Sequence, residues 1–154
     1  MKKLLILLAG LLVFSACGGK AAPKTIDMEG FTAAAVEKLK EDDELVKLSA
    51  EKAADFYDLT FDGLGEYIIY ISGTRATSDE VCIMKLADNG DAVTKAKESV
   101  NKRLTEQKAD YELYIPAEFE KLNKAVVLSD GNYVVFVSGL EADVVKQLIE
   151  SNKK

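Results

Sequence analysis

Glu66-Tyr67-Ile68-Ile69-Tyr70-Ile71-Ser72 is an unbroken run of β-branched and aromatic residues between two polar ends. Such residues suit a pleated surface, so the run reads as a strand. Its apolar residues occupy both parities, the pattern of a strand covered on both faces. Asp79–Leu86 reads as a second strand, apolar at Val81, Cys82, Ile83 and Met84. The polar stretch Gly73–Ser78 joins the two into an antiparallel hairpin with a longish loop.

Downstream, Asp88-Asn89-Gly90-Asp91 forms a turn that also starts a helix. Val93, Ala96, Val100, Leu104, Gln107 and Tyr111 recur at spacings of three and four, which makes one buried stripe. Lys95, Glu98, Lys102, Glu106 and Lys108 lie off it, in solvent. The helix stops near Leu113-Tyr114-Ile115, because Pro116 disfavours helical geometry in the residue before it. Pro116 then suits the first turn of a short helix carrying Phe119 and Leu122. Ala125–Leu128 and Tyr133–Val137 are strands, and Asp130-Gly131 between them is a strong hairpin signal because a tight primed turn needs positive φ. Val144, Val145, Leu148 and Ile149 make an amphipathic helix of Glu141–Ser151.

Upstream, Phe31, Ala34, Ala35 and Leu39 fit one face of a short helix, interrupted by Asp42-Asp43. Ser49 is a good N-cap for a second helix over Ala50–Tyr57. The expected order is α-α-β-β-α-α-β-β-α. The expected fold is α+β: a two-layer domain in which two hairpins form a four-stranded antiparallel sheet covered by helices.

The N-terminus carries an address. Met1-Lys2-Lys3 precedes an apolar stretch from Leu4 to Ala16, closed by Ser15-Ala16-Cys17. Lysines, a short apolar core and small residues before a cysteine are the parts of a lipoprotein signal peptide. Phe14 stands where leucine is usual. The stretch falls short of the roughly 20 apolar residues that a membrane span needs. Residues 1–16 are therefore expected to be removed and Cys17 to carry a diacylglyceryl group that partners the lipid bilayer. Residues 17–29 read as a flexible tether, and 30–154 as a single domain.

Removing the 16-residue signal from the 154-residue chain leaves 138 residues, and the loss of Lys2 and Lys3 takes the net charge from −6 to −8. That balance disfavours nucleic acid and other polyanions. There is no histidine, which excludes a Ser-His-Asp triad and a His-ligated zinc site. With Cys17 acylated, Cys82 has no partner and reads as a small core residue. Asp58-Leu59-Thr60-Phe61-Asp62-Gly63 opens like a calcium loop, but Ile69 occupies the twelfth position, so it reads as a turn. No cofactor or metal is expected.

The loop Gly73–Glu80 is the best candidate surface. Arg75 could hold a carboxylate bidentately, with nearby hydroxyls completing a small-anion site; the stronger reading pairs Arg75 with Asp79 or Glu80 across the hairpin. Arg103, beside the buried stripe, is placed to reach a carboxylate of the sheet such as Glu80. The candidate binding residues are Arg75, Asp79, Glu80 and Arg103. The tyrosines could line a sugar- or peptide-binding face, but the favoured reading packs their rings in the core with the hydroxyls exposed.

The pattern from Leu48 to Ile149 resembles lipoproteins, found mostly in Gram-positive anaerobes, that carry a domain of unknown function (DUF 4358). The resemblance rests on Tyr57, Glu66–Ser72, Asp79-Glu80, Lys85-Leu86, Arg103, Gln107, Tyr114-Ile115-Pro116, Glu118 and Gly131-Asn132-Tyr133-Val134. It implies a lipoprotein on the outer face of the cell membrane, and a shared structural or binding role for Asp79, Glu80 and Arg103. It implies no activity. The expected function is a non-catalytic binding or interaction module whose partner is an envelope protein or a small ligand. The alternatives are an envelope hydrolase using carboxylates and a structural accessory subunit. Adjacent strand residues point to opposite faces, which argues against Asp79 and Glu80 sharing one substrate.

Overall fold

The computed structural model describes residues 24–40, 43–88 and 90–154. The signal segment, Cys17 and the tether as far as residue 23 lie outside the described residues, as do Asp42 and Asn89. The elements are α1 (Met28–Leu39), β1 (Leu45–Lys47), α2 (Ala50–Ala54), β2 (Leu64–Ser72), β3 (Glu80–Leu86), α3 (Asp91–Glu112), α4 (Pro116–Asn123), β4 (Val126–Asp130), β5 (Tyr133–Ser138) and α5 (Ala142–Ser151).

The strands form one open antiparallel sheet in the order β1-β2-β3-β5-β4. The expected four strands become five, because β1 adds to the free edge of β2, with Leu45 opposite Ser72 and Lys47 opposite Tyr70. Three residues are too few to show a period, so only the partner strand reveals this element.

The expected two layers become three. On one face, Ile68, Val81, Ile83, Val135 and Val137 pack with Phe31, Ala35 and Leu39 of α1 and with Val145 and Ile149 of α5. On the other, Ile69, Cys82, Met84, Val134 and Phe136 pack with Val93, Ala96 and Val100 of α3 and with Ala53 of α2. Central β3 has residues of both parities shielded from solvent. Burial of each such side chain contributes about 1.5–3 kcal/mol. Cys82 is free and buried; desolvation, with the Glu80 carboxylate nearby, pushes its thiol pKa far up, so it behaves as a small core residue.

The local signals mostly hold. The Ser49 hydroxyl caps α2 by accepting the Lys52 N–H at 3.3 Å. α2 stops at Ala54, three residues short of the expected end. Its last turn tightens, with the Asp55 and Phe56 N–H groups donating to the carbonyls three residues back. The β4–β5 loop consists of Gly131 and Asn132, and of these only Gly131 has positive φ. That is the requirement of a type II′ turn, a primed turn as expected, with its central pair one residue further on than Asp130-Gly131.

The described domain begins earlier than Gly30. Thr25 exchanges backbone hydrogen bonds with Lys154, Asp27 N–H donates to the Asn152 carbonyl at 2.8 Å, and Ile26 is buried. Thr25–Glu29 are thus part of the domain rather than of a tether. The chain enters on the α1–α5 side, beside the end of β3 that carries Lys85.

Gly139, after β5, has φ of +96°, and a Cβ there would lie 2.7 Å from Leu39 Cδ2 and against the Asp79 carboxylate. Gly131 has φ of +56° with open space around it. Gly139→Ala is expected to cost about 2–3 kcal/mol, combining backbone strain with a clash. Gly131→Ala is expected to cost about 1 kcal/mol, from backbone strain alone. Urea unfolding of the two variants checks the difference.

Candidate functional site

The side chain at the centre of the site is Glu80, the first residue of β3, which is fully buried. A carboxylate there requires donors, and two elements supply them. From α3, Arg103 contributes Nη2 at 2.8 Å and Nε at 3.2 Å from Oε2, and Gln107 Nε2 lies 2.7 Å from the same oxygen. From the segment after α2, the Tyr57 hydroxyl donates to Oε1. Burial and the Glu80 charge push the Tyr57 phenol pKa well up, so it keeps the proton it donates. Burial opposes the charge on Arg103, but Glu80 outweighs it and raises the Arg103 pKa. Because Gln107 must present its NH₂ to a carboxylate, its Oε1 points elsewhere; that atom is buried without a donor among the described residues.

Asp79 points the other way, as the alternation of a strand requires. Its Oδ1 lies beside Gly139 and 3.0 Å from Lys121 Nζ of α4. Desolvation dominates here and raises the Asp79 pKa despite the lysine. Lys121 also lies 3.1 Å from Glu118, and Glu118 Oε2 accepts the Ser78 N–H at 2.6 Å. Burial would raise the Glu118 pKa, but the Ser78 N–H and Lys121 outweigh it and the net shift is downward.

The β2–β3 loop is held from several sides. Asp43 accepts from the Ser72 and Thr74 hydroxyls. The Tyr111 hydroxyl, on α3, lies 2.7 Å from the Thr77 carbonyl and 3.0 Å from the Arg75 carbonyl. Arg75 sits at φ of +60°, the sole non-glycine with positive φ among the described residues. A side chain other than glycine, Asn or Asp is uncommon in that region, and the hydrogen bonds on either side hold it there. The expected pairing of Arg75 with Asp79 or Glu80 does not occur. Glu80 is already occupied and Asp79 is on the opposite face. Arg75 instead stacks over Phe56, with Cζ 5.2 Å from the ring centroid, and Arg103 stacks on the same ring at 4.7 Å.

These parts enclose a cleft of about 260 Å³ between the loop and the C-terminal half of α3. It is lined by Glu80 and Ile71 from the sheet, by Phe56 and Arg75, and by Tyr111 and Tyr114. Leu113 and Tyr114 are more than four-fifths exposed, so the rim presents apolar surface to solvent. Arg75, Arg103 and Glu80 all line the cleft, and so does Asp79, whose carboxylate Oδ1 is directed to Lys121. The sequence reading missed Phe56, which carries no motif, and treated Tyr111 as a stripe residue. The tyrosines follow no single rule: the hydroxyl of Tyr57 is buried on Glu80, while the ring of Tyr114 is exposed. At the calcium-like loop, the Asp58 carboxylate accepts from the Thr60 N–H and hydroxyl, closing a turn. Among the described residues no group of His, Cys, Asp and Glu could hold a metal ion, and no helix is long and apolar enough to cross a membrane.

Arg103→Leu leaves a buried carboxylate without its cation and is expected to cost about 3–5 kcal/mol. The double variant with Glu80→Leu is expected to lose less than the sum of the two single variants, which a urea-unfolding double-mutant cycle measures. Glu118→Gln is expected to cost about 1–2 kcal/mol at pH 7. Because the folded-state pKa of Glu118 lies below its ordinary 4.5, its charge stabilises the fold above that pH. Wild type and variant should converge as pH falls through that value and below, as thermal melts across pH 3–7 would show.

No curated protein and no solved structure matches the chain. A family model described as "Domain of unknown function (DUF4358)" matches residues 37–139, about two thirds of the chain. The match spans β1 through β5 and so contains Glu80, Arg103, Phe56 and the whole cleft. On that match, the chain belongs to the DUF4358 family.

Proposed function

We propose that this protein is a non-catalytic binding module, anchored by a lipid on Cys17 to the outer face of a Gram-positive cell membrane. Its cleft beside Arg75 would receive an envelope protein or a small ligand. The observation that carries the reading is Arg75 itself. Its guanidinium is held on an uncommon backbone conformation, stacked on Phe56, and makes no ion pair among the described residues. Uncommon backbone geometry that neighbours over-determine tends to mark functional sites.

Two further features support it. Both oxygens of Glu80 already accept donors, and Asp79 lies on the opposite face, so the pair does not address one substrate as a carboxylate hydrolase requires. The chain enters near the Lys85 end of β3, whereas the cleft opens at the Glu80 end and on the other face. At about 3.4 Å per residue the two ends are about 17 Å apart. A lipid-anchored chain would therefore hold the cleft away from its point of attachment.

Arg75→Asn removes the cation and keeps a residue that tolerates positive φ. Combined with Tyr114→Ser, it is expected to abolish crosslinking of the anchored protein to its envelope partner while leaving the melting temperature within about 2 °C, as for surface changes. Cys17→Ser is expected to move the protein from the membrane fraction to the medium. Undiminished crosslinking by the Arg75→Asn/Tyr114→Ser variant, or membrane retention of Cys17→Ser, would count against the respective half of the reading.

A further inference from the structure

Two charges of the cleft have no hydrogen bond or close ion pair among the described residues. Arg103 is paired with Glu80, and Asp79 with Lys121. Arg75 and Asp110 both line the cleft and remain; Arg75 stacks on Phe56, and Asp110 lies near enough to Arg103 for its charge to act on that guanidinium. Arg103 spends Nε and Nη2 on Glu80, and its Nη1 has no acceptor among the described residues. Around Phe56 the cleft thus offers two guanidinium groups, Arg75 whole and Arg103 in part, both oriented by one ring. Guanidinium pairs favour a planar carboxylate. Asp110 lies seven residues beyond Arg103 on α3, two turns along the same face, and offers the opposite charge. Beyond Asp110 the chain adds aromatic and apolar lining: Tyr111, Tyr114 and Ile115.

We infer that the cleft binds a small zwitterion, an α-amino or terminal-amino carboxylate carrying an apolar side chain. Its carboxylate sits between Arg75 and the free edge of Arg103, its ammonium faces Asp110, and its side chain lies on Tyr111 and Tyr114. A volume of about 260 Å³ is just below the usual range of ligand pockets and suits one or two residues rather than a long segment. Free amino acids and short peptides share this chemistry. The inference rests on the binding-module reading and narrows it to a ligand class.

The test titrates the domain with leucine, leucyl-leucine, N-acetyl-leucine and leucinamide, following backbone amide shifts and calorimetric heats. Leucine or leucyl-leucine is expected to shift residues of the β2–β3 loop and of α3 from Arg103 to Tyr114. Loss of the ammonium or of the carboxylate is expected to weaken binding at least tenfold. Arg75→Asn should abolish the preference for the carboxylate, and Asp110→Asn the preference for the ammonium, each leaving the other intact. Tighter binding of leucine assigns the free amino acid as the source, and tighter binding of leucyl-leucine the peptide. If all four compounds shift the cleft equally, the zwitterion is wrong and the binding module stands. If none perturbs a cleft residue, the zwitterion is wrong, and the crosslinking experiment alone bears on the wider reading.

Discussion

The buried carboxylate of Glu80 sets the terms for the structure around it. Removed from water, it needs donors from several directions. Those donors lie far away in sequence, on α3 and on the segment after α2, so satisfying one side chain fixes two elements against the sheet. An ion pair in such a place adds little net stability compared with apolar packing, because the desolvation cost offsets the attraction. What it supplies is register: α3 seats where Arg103 and Gln107 meet Oε2, and the α2 turn seats where Tyr57 meets Oε1.

The cleft follows from that seating. Once Arg103 is aimed at Glu80, its guanidinium plane lies against Phe56, and the same ring receives Arg75 from the loop above. Tyr111, two turns along α3 from Arg103, reaches the loop carbonyls and holds them. Asp79 and Glu80, adjacent in sequence, therefore organise opposite sides of the sheet. Glu80 lines the cleft, while Asp79 ties β3 to α4 through Lys121.

Much of the framework was legible because it is locally encoded. Strand composition located β2 and β3, a stripe at spacings of three and four located α3, Pro116 separated α3 from α4, and Ser49 capped α2. The Arg103–Glu80 contact was also anticipated, since an arginine beside an apolar stripe needs an acid to bury against. β1 was not legible, being too short to show a period. The three-layer packing was latent in the double-sided apolar pattern of β2 and β3, yet hairpin order alone suggested two layers. Phe56 gave no signal, because its role depends on two arginines that reach it from other elements.

The sequence by itself determined every strand but β1, the helices, and where the chain turns, because period, caps and turn residues act over a few neighbouring positions. It also set the charge balance and the absence of histidine, which narrow the chemistry. Only the tertiary structure decided that β5 lies between β3 and β4, that helices cover both faces, and that Arg75, Phe56, Arg103 and Asp110 share one cleft. The reason is separation along the chain. Glu80 lies 23 positions from both Tyr57 and Arg103, and Ser78 lies 40 from Glu118. Contacts at that range are chosen by the packing of whole elements rather than by any local preference.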